Sequence, residues 1–182
     1  MNEKELVSLA LEAGATKATL ISREQIVLSA EFREICQRNS CGAYGRCWMC
    51  PPDVGEIEPL MARVRQYPRA VLYQTIGQLE DSYDIEGMGA AAAEHVRVSQ
   101  RLQARLAPLV GPGLLHLSCG GCHLCETCAK QENQPCRHPE QALPSMESYG
   151  VNVYETAKDT GLQYCNGQNT VTYFGMALLP EG

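Results

Sequence analysis

The chain has 182 residues, 45% of them hydrophobic and 20% charged, with a formal net charge of −6. That length supports one substantial core, and the composition excludes wholesale disorder. A net acidic chain also lacks the global attraction to phosphate on which nucleic-acid binders rely, so no nucleic-acid partner is expected.

The chain opens with Met1 to Gly14, charged residues leading into a short amphipathic stretch, with neither a basic leader nor a cleavage site. Leu6, Leu9, Ala10 and Ala13 recur at helical spacing before Gly14, so a short helix over Glu3 to Ala13 is expected. Ala18 to Ser22 and Ile26 to Ser29 have the β-branched and aliphatic content of strands and suggest a hairpin around Arg23 to Gln25. Ile57, Leu60, Met61 and Val64 predict a helix over Glu56 to Gln66, and Ala70 to Ile76 reads as a buried strand. After a polar loop from Gly77 to Gly89, Ala90 to Leu106 is the strongest helix, ended by Pro108 and Gly111. Leu114 to Ser118 is expected as a strand, Glu140 to Tyr149 and Val151 to Thr160 as short helices, and Thr170 to Leu179 as the last strand. The alternation predicts a single α/β domain over residues 1–182, a mixed sheet flanked by helices and carrying two cysteine-rich loops, 36–52 and 119–139.

No apolar run approaches the ~20 residues of a membrane helix, so we expect no membrane partner and a cytoplasmic location. In a reducing compartment ten cysteines are ligands or reactive thiols sooner than disulfides. Cys119, Cys122, Cys125 and Cys128 stand at a strict spacing of three, followed by Cys136. Neither a helix nor a strand turns thiols at that spacing to one side, whereas an irregular loop with flexible Gly120 and Gly121 does. The other loop holds Cys36, Cys41, Cys47 and Cys50 among Asn, Ser, Gly and Pro residues. Zinc typically takes two Cys-x2-Cys knuckles, and Cys47/Cys50 with Cys119/Cys122 would serve it. It gives no reason for the period to continue through Cys125 and Cys128, which iron–sulfur ligation does, as in the local ferredoxin pattern. Two [4Fe-4S] clusters fit the count: Cys36, Cys41, Cys47 and Cys50 for one, and four of Cys119, Cys122, Cys125, Cys128 and Cys136 for the other. The ferredoxin run ends in Cys-Pro, and the Cys-Pro here is Cys50-Pro51, so a ligand exchanged between loops stays open.

Beyond these spacings, Cys41-x2-Tyr44-Gly45-x-Cys47-x2-Cys50-Pro51-Pro52, the run from Cys119 to Cys128, Cys136-Arg137-x-Pro139 and Pro144-Ser145-Met146-Glu147-x2-Gly150-x-Asn152-Val153 resemble a family of small cysteine-rich metal-binding proteins found largely in anaerobic bacteria and archaea. The resemblance spans most of the chain. It implies metal binding and no particular reaction.

Arg137 and His138, beside Cys136, are candidate cofactor-binding residues: the arginine would offset thiolate charge or hold an anion, and the histidine would bond a cluster sulfur. His123 invites the same reading. Tyr44 and Trp48 would shield a cluster from water. Arg97, Arg101 and Arg105 align on one helix face, where a solvated surface outweighs a docking site for an acidic redox partner. Cys165 reads as a partly buried free thiol. No Walker loop, dinucleotide fingerprint, nucleophile elbow or paired-histidine helix is present. The expectation is therefore an iron–sulfur protein in electron transfer or a reductive reaction, with a redox partner protein or a small-molecule substrate. The alternatives are an enzyme with an open iron, acting in reductive cleavage or desulfuration, and a zinc-stapled structural module.

Overall fold

The structure is a computed structural model that describes residues 1–181. The expected α/β architecture is present as one four-stranded sheet in the order β1-β2-β4-β3, built from β1 (Lys17–Ser22), β2 (Arg69–Gln78), β3 (Leu115–Leu117) and β4 (Thr170–Leu179). Every ladder pairing is antiparallel. The two long central strands pair from Arg69↔Leu179 to Gln78↔Thr170, so both are protected along their length.

Strand alternation assigns the two faces. Ala70, Leu72, Phe174, Met176 and Leu178 point to one core, with Ile21, Leu60, Val64 and Met146. Val71, Tyr73, Ala177 and Leu179 point to the other, against α1 (Glu3–Glu12) and α4 (Ile85–Val110). In α1, Asn2 and Glu5 form a capping box that satisfies free N–H groups, and Leu6 and Ala10 are buried. In α4, His95, Val98, Ser99, Leu102 and Leu106 form the buried stripe. Burying each of the two leucines fully contributes about 1.5–3 kcal/mol relative to exposure.

Several elements depart from the sequence expectation. Ile26 to Ser29 forms no hairpin with β1, whose partner is β2. Arg23–Gln25 is a 3-10 turn, and Leu28 makes only a bridge to Val151. All six residues of β1 pair with Arg69 to Gln74 of β2, and the Ile26–Ser29 segment finds its own partners farther away, the Ser29 N–H donating to Gly150 O at 2.8 Å. The helix α4 starts five residues earlier than expected because Asp84 accepts from the Gly87 N–H, and it continues past Pro108, which sits in the last turn. There proline costs one backbone bond, and Gly111, at φ 76°, ends the helix. Residues 140–146 are irregular, with only a 3-10 turn at Glu147–Tyr149, while α5 is confined to Val153–Ala157. The segment carries Pro144 and pairs with the end of β3 instead. The remaining helices are α2 (Glu31–Gln37), which feeds the first cysteine loop, and α3 (Ile57–Val64), which follows it. Among the described residues no helix is long and apolar enough to cross a membrane.

Candidate metal centre

Both cysteine loops leave the ends of regular elements. The first follows α2, where buried Arg33 donates to Gly55 O at 2.7 Å and so ties the loop's entrance to its exit. The second follows β3, where Ser118 is clamped: its N–H donates to Pro144 O at 2.8 Å, and its carbonyl accepts from the Met146 N–H at 2.9 Å. The loops then latch onto each other. Arg46 donates to Gln131 Oε1, and the Trp48 indole N–H donates to Gln134 O at 2.9 Å. Lys130 lies 4.4 Å above the Trp48 ring and pairs with Asp53. This pair is mostly shielded from solvent, so it is less screened than the other ion pairs.

Between the latched loops Cys47, Cys122, Cys125, Cys128 and Cys136 face one small cavity of about 20 Å³, walled in part by Trp48 and Leu124. Cys47 stands at the junction. A hydrogen bond from the Cys50 thiol holds Cys47 low, to about 5, helped by backbone N–H groups and the Cys128 thiol, while the same bond pushes Cys50 up. Cys50 is not among the residues lining this cavity and lies within the electrostatic reach of Cys36 and Cys41, and a Cβ on Gly121 would lie 3.7 Å from its sulfur. That is ordinary contact distance, so the two loops meet closely at this point. Burial raises Cys36 and Cys122. All ten thiols are free.

Cys119 stands apart from these five. It lines a separate cavity of about 330 Å³ with Glu147, Tyr164, Tyr173 and Phe174. Burial pushes its thiol up to about 12, and the charge of Glu147 adds to the shift. Glu147 arrives there because the Ser118–Met146 clamp places the Pro144–Glu147 segment beside the first residue of the second loop. Ser145 Oγ accepts from the Ser148 N–H at 3.1 Å and fixes the turn, and Gly150, at φ 77°, reverses the chain. Burial pushes the Glu147 carboxyl up, and hydrogen bonds from its own N–H and the Ser145 hydroxyl oppose the shift. This explains the Pro-Ser-Met-Glu run, to which sequence spacing assigned no chemistry.

A buried polar chain reaches the same region through the core facing α4. His116 sits between Gln103 and Tyr73, its Nδ1 3.0 Å from Gln103 Oε1 and its Nε2 2.8 Å from the Tyr73 hydroxyl oxygen. The Tyr73 hydroxyl donates to Ser99 Oγ at 2.8 Å, Ser99 in turn donates to His95 O at 2.9 Å, and Ser99 Oγ lies 3.1 Å from Ser118 Oγ. His95 stacks on Tyr73 and meets Thr75 Oγ1 at 2.9 Å. Burial holds His95 down to about 4 and His116 down to about 3, so both are neutral at pH 7. Glu147 was marked in the sequence only as part of the Pro144–Glu147 run, and Tyr73, His95 and His116 did not stand out, because a polar residue inside an apolar strand or helix carries no spacing signal.

The other sequence candidates are placed as follows. Arg137 borders the five-thiol cavity, donating to Thr127 O and to Glu132, both at 2.8 Å. His138 is exposed, its carbonyl closing a turn to Ala142. His123 is exposed at the lip of the Glu147 cavity. Arg97 and Arg101 both engage Glu94 within α4, while Arg101 also donates to Ala13 O and Arg105 pairs with Glu12 of α1, so two of the three tie α4 to the end of α1. Cys165 is exposed, more open than expected, as is its neighbour Tyr164, one face of which stacks on Phe174.

Among the described residues no three His, Cys, Asp or Glu side chains stand at single-ion coordination distance. The fit to a metal therefore rests on donor chemistry: five thiols, with the Met49 thioether beside them, line one cavity, and sulfur donors suit a thiophilic metal. No curated protein and no solved structure matches the chain. Residues 19–179 match the family described as "Predicted metal-binding protein (DUF2284)", and the chain belongs to that family.

Proposed function

We propose that this protein binds two [4Fe-4S] clusters and serves electron transfer or a reductive reaction. The observation that carries this reading is the number of thiols brought to adjoining places: five face one cavity, and Cys50 lies within electrostatic reach of Cys36 and Cys41, eight in all, the complement of two clusters where one zinc ion takes four. Cys122, Cys125 and Cys128 with Cys47 or Cys136 would hold one cluster. Cys36, Cys41 and Cys50 would hold the other, its fourth ligand being Cys47 or Cys119. When bound, such clusters supply single electrons at a potential set by charge, sulfur hydrogen bonds and burial.

The chain's own residues have defined parts in this reading. Trp48 and Leu124 keep water from the cavity, and Arg137 places a guanidinium at its border against thiolate charge. His138, exposed, would reach a cluster only through water. The second reading, one zinc ion on four of the same thiols, is favoured by the small free volume between them.

The test is metal and sulfide analysis of protein purified without oxygen. Brown protein that bleaches with dithionite and carries iron and acid-labile sulfide in equal amounts is the expected result. Serine at Cys125 or Cys128 should then remove about half the iron, since one of two clusters loses a ligand. Colourless protein with a single zinc ion would overturn the proposal.

A further inference from the structure

The cavity beside Cys119 has no part in holding thiols together. Its free volume of about 330 Å³ falls at the lower end of the range of small-molecule sites. One wall is aromatic, with Tyr164 stacked on Phe174 at 5.9 Å and 16° between ring planes, and the opposite wall is formed by Ala92 and Val96 of α4. Those short side chains leave the space open: bulkier residues at either position would fill it.

At the inner end stands Glu147. Its Oε2 is buried and has no hydrogen-bond partner among the described residues. A buried polar atom without a partner costs about 1–3 kcal/mol, and the clamp from Ser118 to Met146 holds the turn in place, so the carboxyl does not swing out to water. His123 is the one basic side chain at the cavity, and it is exposed at the lip. The interior thus offers flat apolar surface and one acidic acceptor.

We propose that this cavity is a binding site for a small planar molecule bearing an N–H donor, a nitrogen heterocycle, which stacks against the Tyr164–Phe174 wall and donates to Glu147. Cys119 then places the bound molecule next to the cysteine loop. The site stands on the fold and on Glu147 and does not depend on which metal the thiols hold. If the protein is a reductive enzyme, this is where its substrate lies.

Benzimidazole is a suitable probe, with indene as a counterpart of the same shape that lacks the N–H donor. Ligand-observed NMR on the anaerobically purified full chain reads binding, and metal analysis of the same sample reads the metal assignment separately. Benzimidazole should bind at millimolar or lower concentration, and indene about tenfold more weakly, the value of one charge-assisted hydrogen bond of about 1.4 kcal/mol. Glu147→Leu should remove the difference between the two probes. Ala92→Phe, which fills the cavity from the helix side and leaves Glu147 in place, should abolish binding of both. No saturation transfer to benzimidazole, or equal binding by natural chain and Ala92→Phe, would overturn the proposal, whatever the iron content.

Discussion

Tyr73 ties the sheet to the helix layer through its hydroxyl. Gly175, its cross-strand partner, has no side chain because a Cβ there would overlap the Tyr73 ring. The ring occupies that space and aims its oxygen at Ser99 and His116. Tyr73→Phe keeps the ring and removes the oxygen, leaving the buried His116 Nε2 without its partner and Ser99 Oγ without its donor. The expected cost is about 1–3 kcal/mol, read as a lower urea midpoint with unchanged slope. None of this was visible at the residue scale in the sequence, where Tyr73 is one more aromatic in the apolar run Ala70 to Ile76. The cysteines were visible, because their chemistry is narrow and their spacing strict.

At the scale of elements, the two cysteine loops are irregular and owe their mutual position to a few side chains. Lys130 is central, pairing with Asp53 and covering Trp48. Lys130→Met keeps the apolar stem and removes the charge, so Asp53, whose Oδ2 is already buried and unpaired, loses its one cation. A penalty of about 1.4 kcal/mol corresponds to a tenfold larger population of separated loops. Labelling of Cys47 by iodoacetamide in metal-free protein should quicken by about that factor, measured by mass spectrometry, while labelling of exposed Cys165 should not change. The same scale shows why boundaries were less legible than elements. β4 matches its expected span because Thr170 to Leu179 is a continuous strand-forming run bounded by Asn169 and Pro180. The Ile26–Ser29 segment has equal strand character, and its partner, around Gly150 to Asn152, lies far along the chain. Local content cannot name a distant partner.

At the scale of the whole molecule, the buried histidines give stability a direction with pH. His95 packs against Tyr73, Thr75 and Tyr173, and His116 against Tyr73 and Gln103, with no carboxylate bonded to either. Their ordinary value is 6.5 and burial lowers them to about 4 and about 3. Between those values the unfolded chain binds more protons than the folded one. Their contribution is therefore full above 6.5 and is lost as pH falls toward the folded values. Glu147, raised by burial, acts in the opposite sense over its own range. The urea midpoint should drop between pH 7 and pH 5, and His116→Gln should lessen that drop. Acid loss of any thiolate-bound metal is common to both chains, so the difference between them isolates the histidine. An equal drop in both would show that His116 is not buried as a neutral base.

The sequence by itself determined the α/β alternation, the two thiol-rich loops and the metal-binding character, because hydrophobic period and cysteine spacing are local properties written along the chain. Only the tertiary structure decided which thiols share a cavity, that Cys119 sits instead with Glu147, and that Tyr73, His116 and Ser118 are joined. These are meetings of residues from separate strands, helices and loops, and which of them meet depends on the β1-β2-β4-β3 order of the sheet and on the latch between loops.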